Sequence, residues 1–176
     1  MDEIVMRAKS KWPGTPDVYG WLALDRRGDW LLREEHGRGD SRSRITNAAL
    51  RAFVARNYAA DPRGCWYFQN GPQRVYVQLA YAPLVFRLDG AGADSTLLDH
   101  CGRHALAQAA WLDEEGSLVL LTGRGPGLLD DRDLGRVADM LADGALLLGG
   151  REIALGEIRS AELPLRFGYV LNPRAE

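Results

Sequence analysis

The chain reads as an α+β protein built from two related units, each a hairpin, a helix, a second hairpin and a strand. Its sheet is expected to be mainly antiparallel, with helices packed against it. Three observations carry that reading. An ordered series of landmarks occurs twice along the 176 residues. Helical periodicity follows hairpin signals instead of bridging parallel strands. Asp/Asn and Gly turn signals punctuate short apolar runs. The expected organisation is a lead-in over 1–17, a first unit over 18–89, a linker with a short helix over 90–107, and a second unit over 108–176.

In order, Trp12-Pro13-Gly14-Thr15-Pro16 makes the lead-in extended and turn-rich. Residues 18–24 alternate as a strand, Asp25-Arg26-Arg27-Gly28-Asp29 turns, and Trp30-Leu31-Leu32 returns. Residues 36–43 are a polar loop. Its Gly37-Arg38-Gly39-Asp40-Ser41 spells an integrin-binding string, which a short polar loop contains by chance. Thr46 or Asn47 caps a helix over 45–58, with Leu50, Phe53, Val54 and Tyr58 on one face. Cys65-Trp66-Tyr67-Phe68 and Val75-Tyr76-Val77 are strands around a loop at 69–73, and 83–88 is a further strand. In the second half, strands are expected over 118–121, 145–148, 152–155 and 163–169. A loop is expected at 123–127, and a helix over 130–142.

The repeat pairs Leu24, Asp25 and Gly28 with Leu112, Asp113 and Gly116, and Trp30 and Leu32 with Leu118 and Leu120. It pairs Asn47, Leu50 and Phe53 with Asp131, Leu134 and Val137, and Val75 and Val77 with Ile153 and Leu155. Pro83-Leu84-Val85-Phe86-Arg87 is matched to Pro164-Leu165-Arg166-Phe167, and Asp61 and Gly64, less closely, to Asp143 and Gly144. The second copy lacks the aromatics of the first, so a site carried by one copy belongs to the first.

The series Asp25…Gly28-Asp29-Trp30, Ile45-Thr46-Asn47…Leu50…Phe53 and Asp61…Gly64…Trp66-Tyr67-Phe68…Pro72…Arg74-Val75…Val77…Ala82-Pro83 resembles a family of uncharacterised proteobacterial proteins classed as domains of unknown function. The resemblance covers 18–88 well and the C-terminal half through the repeat. It implies a novel α+β fold with repeated motifs and a role in signal transduction. It supplies no catalytic residues.

A net charge of −2 supplies no basic field for nucleic acid. A hydrophobic fraction of 46% and a charged fraction of 26% are those of a globular domain. Two cysteines make no disulfide scaffold, and a chain of this length needs none to bury a core. The acidic start lacks an apolar signal region, and no apolar run reaches membrane-spanning length. A cytoplasmic location is expected, without nucleic acid, membrane or cofactor. The partner is a small molecule or a protein, the latter including a second copy of the chain.

The leading site is Trp66, Tyr67, Gln69, Asn70, Gln73 and Arg74, where aromatics supply contact area and planar polar groups set orientation. The same residues also read as a hairpin whose aromatics pack the core while its turn sits in water. His100, Cys101 and His104 carry metal-ligating atoms, but without paired metal-site spacing they read better as a polar helix with a buried Cys. Gly123-Arg124-Gly125-Pro126-Gly127 lacks a P-loop ending, and Asp130, Asp131 and Asp133 would repel a phosphate there. No Ser, Cys or carboxylate pair sits in a recognisable catalytic signature. The functional expectation is a binding or signalling-associated module recognising a small molecule or peptide at the first unit. The alternatives are an enzyme of unrecognised type, towards which the sequence does not lean, and a homodimer or protein-interaction module.

Overall fold

A computed structural model describes residues 1–34, 41–142 and 144–175. The six residues of 35–40, which carry most of the integrin-like string, lie outside the described residues, as does Asp143. The chain forms two units. One contains residues 1–25, 29–80 and the stretch from Gly168 on, and the other residues 26–28 and 81–167.

The first unit begins with helix α1 (Glu3–Lys11), in a stretch expected to be an extended lead-in. Its signals were local: Asp2 and Glu3 at the start, Lys9 and Lys11 in the last turn, and a Glu3–Arg7 pair one turn apart at 3.4 Å. The helix is tied down at its start. The Asp2 N–H donates to Asn57 Oδ1 at 2.7 Å, Arg56 pairs with the Asp2 carboxylate, and Val5 is buried. Then follow β1 (Val18–Leu24), β2 (Trp30–Arg33), β3 (Arg42–Arg44), α2 (Ala48–Arg56), β4 (Tyr58–Ala60), β5 (Trp66–Asn70) and β6 (Gln73–Leu79). Asn47 caps α2 by accepting from the Leu50 N–H. The sheet order is β3-β2-β1-β6-β5-β4, antiparallel except for β1 against β6.

The second unit contains β7 (Leu84–Asp89), β8 (Thr96–Asp99), β9 (His104–Ala105), β10 (Ala107–Leu112), β11 (Leu118–Thr122) and β12 (Gly125–Leu129). It continues with α3 (Leu134–Ala138), β13 (Leu141–Ala142), β14 (Ala145–Leu148), β15 (Arg151–Glu157) and α4 (Leu163–Phe167). Its sheet runs β13-β14-β15-β10-β11-β12-β7-β8-β9. Reversed over its first six members, this is the order of the first sheet, with the same parallel join, β10 against β15.

The strand registers of the two units correspond residue by residue. Leu22 lies opposite Leu32 and Val77, and Ala110 opposite Leu120 and Leu155. The Ala80 N–H donates to Leu24 O, and the Ile158 N–H to Leu112 O. The Gln69 N–H donates to Asn57 O, and the Leu147 N–H to Met140 O. On the helices the correspondence expected from sequence is one residue out. Val54 and Val137, both buried, each lie three residues before the position whose N–H closes the helix. Asn47 thus matches Asp130, which likewise accepts from a backbone N–H, that of Arg132. Helical periodicity alone leaves neighbouring positions of a broad apolar face hard to tell apart.

Other expected elements differ, and the expected loop 36–43 ends inside β3. The stretch 96–107, expected as linker and short helix, is the β8–β9 hairpin and the start of β10, because Asp99-His100-Cys101-Gly102-Arg103 forms the same turn as Asp25 to Asp29. Residues 163–169 hold α4 where a strand was expected, so Pro164 to Phe167 do not answer the strand at Pro83 to Arg87. The expected loop 123–127 supplies most of β12, and the expected helix 130–142 shortens to α3 because β13 claims Leu141 and Ala142. Each half also has a third strand after its helix, β4 or β13, which the hairpin–helix–hairpin reading lacked.

One turn recurs. At Asp61, Asp99 and Asp113 the carboxylate accepts from the N–H groups two and four residues on, and each Asp N–H bonds the carbonyl four residues on. Asp25 keeps the longer of these bonds, from the Asp29 N–H, and the same N–H to C=O closure. The residue before the end of each turn is a glycine with φ near +80° (Gly28, Gly64, Gly102 and Gly116). Among the described residues no helix is long and apolar enough to cross a membrane.

Candidate functional site

The β5–β6 hairpin closes on Gly71 and Pro72 alone. Gly71 has φ +57° and Asn70 pairs with Gln73, which suits a two-residue turn with Pro at its second position. The loop expected over 69–73 therefore shrinks, and Gln69, Asn70 and Gln73 are strand residues. Strand alternation and pairing put Tyr67, Gln69, Arg74 and Tyr76 on one face, and Phe68 and Val75 on the other. On the latter face Phe68 meets Phe53 of α2 edge-on at 5.4 Å. Trp66, half-buried, tilts against Tyr58 at 4.8 Å.

The Arg74 face is a cation and tyrosine array. Tyr19 stacks on Tyr76 at 4.6 Å and 4°, and Tyr67 meets Tyr76 edge-on at 5.9 Å. The Arg74 guanidinium lies over the Tyr67 ring at 4.8 Å. The Tyr76 hydroxyl donates to Asp61 Oδ2 at 3.0 Å and accepts from Arg63 at 3.1 Å. Burial pushes the Asp61 carboxyl up, but donors from Cys65, Tyr76 and Arg63 outweigh it and hold it below the usual range. Gln69 is fully buried and donates to Gly71 O at 2.9 Å, Gln73 donates to Pro16 O at 3.1 Å, and Asn70 is exposed. Of the six expected site residues, Arg74 lines a cavity.

That cavity, about 570 Å³, lies between α1, the Pro-rich segment after it and the hairpin turn. Its polar lining is Lys9, Ser10, Thr15, Asp17 and Arg74, with Met6, Pro13 and Pro72 as apolar wall. Ser10 and Thr15 donate to Met6 O and Trp12 O, so their hydroxyl hydrogens are engaged. Among the described residues, no carboxylate ion-pairs with Lys9 or Arg74, whereas Arg27, Arg56, Arg63, Arg87 and Arg103 are each paired with an aspartate. Lys9 was missed as a site residue because the helix carrying it was missed.

The second unit has a cavity of about 610 Å³ lined by Thr96, His104, Gln108 and Arg124 among others, but its basic side chains are engaged. His104 faces Asp89 at 3.5 Å, and Arg124 donates to His104 O at 3.1 Å. Of the metal candidates, His100 and Cys101 meet in the turn, Cys101 Sγ 3.5 Å from His100 Nε2, but among the described residues no three His, Cys, Asp or Glu side chains gather to hold a metal ion. His100 is enclosed in the turn, where burial holds its ring down at about 4, while His104 is exposed. Burial also pushes the Cys101 thiol up to about 12, the reverse of a metal-ready thiolate. Of the glycine-rich run 123–127, whose phosphate reading the sequence already disfavours, Gly125 to Gly127 are strand, and Asp130 and Asp133 beyond it are committed to Arg132, Arg87 and Arg136.

A family model described as a protein of unknown function (DUF2946) matches residues 1–174. A DUF1285 family protein from Silicibacter pomeroyi DSS-3 has a similar structure, with a TM-score of 0.55 at 17% identity, covering 88% of this chain and 95% of that one. At that identity the likeness concerns the fold. A DUF1285 family protein from Shewanella baltica OS155 matches at a TM-score of 0.38 and 15% identity, covering 64% of this chain and 85% of that one. No curated protein matches. The resemblance read from Asp25 to Pro83 is thereby met, and with its whole architecture spanned by one family model, the chain belongs to the family of unknown function DUF2946.

Proposed function

We propose that this protein is a small-molecule-binding module whose site is the cavity beside Arg74 in the first unit. The observation that carries the reading is a guanidinium held against Tyr67 at the wall of a 570 Å³ cavity and left without an acidic partner among the described residues. Few, well-placed polar groups in an otherwise apolar concavity are what small-molecule sites use. A ligand-responsive module of this kind suits a signalling role in the cytoplasm. A thermal-shift screen against metabolites and nucleotides, run on wild type and on Arg74→Ala, tests it. A compound that raises the wild-type midpoint and leaves the variant unmoved supports the reading. No responding compound, or an equal response in both proteins, overturns it.

A further inference from the structure

We infer that the ligand of this cavity carries an oxyanion, a carboxylate or a phosphate, gripped between Lys9 of α1 and Arg74 of β6. The inference rests on the cavity being the ligand site and adds what the ligand must be. The reasoning is an inventory of donors. The two hydroxyls in the lining already donate to backbone carbonyls, so the strong donors left to the cavity are the Lys9 ammonium and the N–H groups of the Arg74 guanidinium that Tyr76 does not use. Both are cationic, and an anionic acceptor gives each a charge-assisted bond.

Position adds to composition. Arg74 rests on a tyrosine face with its fork pre-ordered, so it loses less freedom on gripping a planar or tetrahedral anion than a solvated arginine would. Lys9 and Lys11 are the only lysines of the chain, and Lys9 stands on the cavity wall, half-buried. Asp17 also lines the cavity and offsets one of the two positive charges, leaving a net of one, which fits a singly charged group. The second unit makes the contrast. Counting back from its own two-residue turn, the place of Arg74 is taken by Glu152, and the places of Tyr67 and Tyr76 by Ala145 and Ala154.

The probes are inorganic phosphate and succinate, with glycerol as the neutral control, added at millimolar concentration and constant ionic strength. Binding is followed by amide shifts in a 15N NMR titration of the full chain. Phosphate and succinate separate the two sources of an oxyanion. Expected is saturable binding of at least one anion, weakened about tenfold or more by Arg74→Gln and by Lys9→Gln, since each removes one charge-assisted bond. Asp17→Asn, which removes the repelling carboxylate, is expected to tighten it. Retained amide dispersion in each variant shows that the fold is intact. Equal anion binding in wild type and both glutamine variants overturns the inference, as does weaker binding in Asp17→Asn. If neither anion binds while a neutral compound from the screen binds through Arg74, the oxyanion inference falls and the binding-module reading stands. If nothing binds, both fall.

Discussion

The β5–β6 hairpin and the β14–β15 hairpin occupy the same place in two copies of one unit, and they spend their side chains differently. Each closes on two residues, Gly71-Pro72 or Gly149-Gly150, and the pairing registers match step for step. At matching steps, Tyr67 and Tyr76 become Ala145 and Ala154, and Arg74 becomes Glu152. The third strand differs too. In β3, Arg42 and Ser43 stand where β12 has Pro126 and Gly127, because β12 is flanked by β7 while β3 is the edge of its sheet. The backbone ladder is what the unit needs in order to fold. The aromatic and cationic face is what one copy has in addition.

The largest expected effect separates two occurrences of the recurring Asp–Gly turn, one in each unit. A Cβ at Gly64 would lie 2.0 Å from Gly168 O, at φ +78°. Gly64→Ala combines left-handed strain of about 1–2 kcal/mol with a backbone clash, and a total of roughly 3 kcal/mol or more is expected. Gly116, at φ +79° with nothing within 4 Å of its Cβ, bears the strain alone. Gly116→Ala should cost about 1–2 kcal/mol in urea denaturation. Equal costs would remove the packing difference between the turns.

Next are the buried carboxylates. Asp61 and Asp113 serve the same turn and each accepts from a tyrosine, Tyr76 at 3.0 Å and Tyr81 at 2.6 Å. Burial raises both carboxyls, but the donors prevail and both lie below 3.8. A depressed folded value means the stabilisation is complete above pH 3.8 and is lost as pH falls through the lower folded value. Denaturation followed against pH should therefore show a steep acid limb below about pH 4 that Asp61→Asn and Asp113→Asn each flatten. Either substitution should cost about 1–3 kcal/mol at neutral pH.

His100 acts higher on the pH scale. Burial holds it near 4 against 6.5 for a free ring. The unfolded chain therefore binds the proton first, and stability declines as pH drops from about 6.5 toward 4. His100→Gln should abolish that decline while leaving the acid limb of Asp61 in place.

The smallest effect on stability should come from converting one copy toward the other. Arg74→Glu removes a half-exposed cation–π contact and should cost about 1 kcal/mol or less. Yet it should abolish ligand binding.

The topology was largely legible because turns and apolar alternation are local signals. Asp25 with Gly28 and Asp113 with Gly116 announce their hairpins, and Val75, Val77, Ile153 and Leu155 announce the paired strands. Asp99 to Arg103 spells the same turn, although 96–107 reads from sequence as a linker with a short helix. Leu163 to Phe167 reads as apolar strand, yet its helix emerges from packing, with Phe167 against Trp111 at 5.2 Å. Half of the candidate site was legible. Arg74 stood out beside aromatics, whereas Gln69 looked like a turn residue and is buried beneath the turn, satisfying Gly71 O. Lys9 could not be placed without α1, whose docking to Asn57 is a contact across 55 residues.

The decisive measurement is the NMR titration with phosphate and succinate, read by position. Shifts confined to Lys9, the 71–74 turn and Asp17, with 145–154 silent, would place ligand recognition in the copy that has the aromatic face. Shifts centred on the β14–β15 hairpin, or none around Arg74, would contradict it.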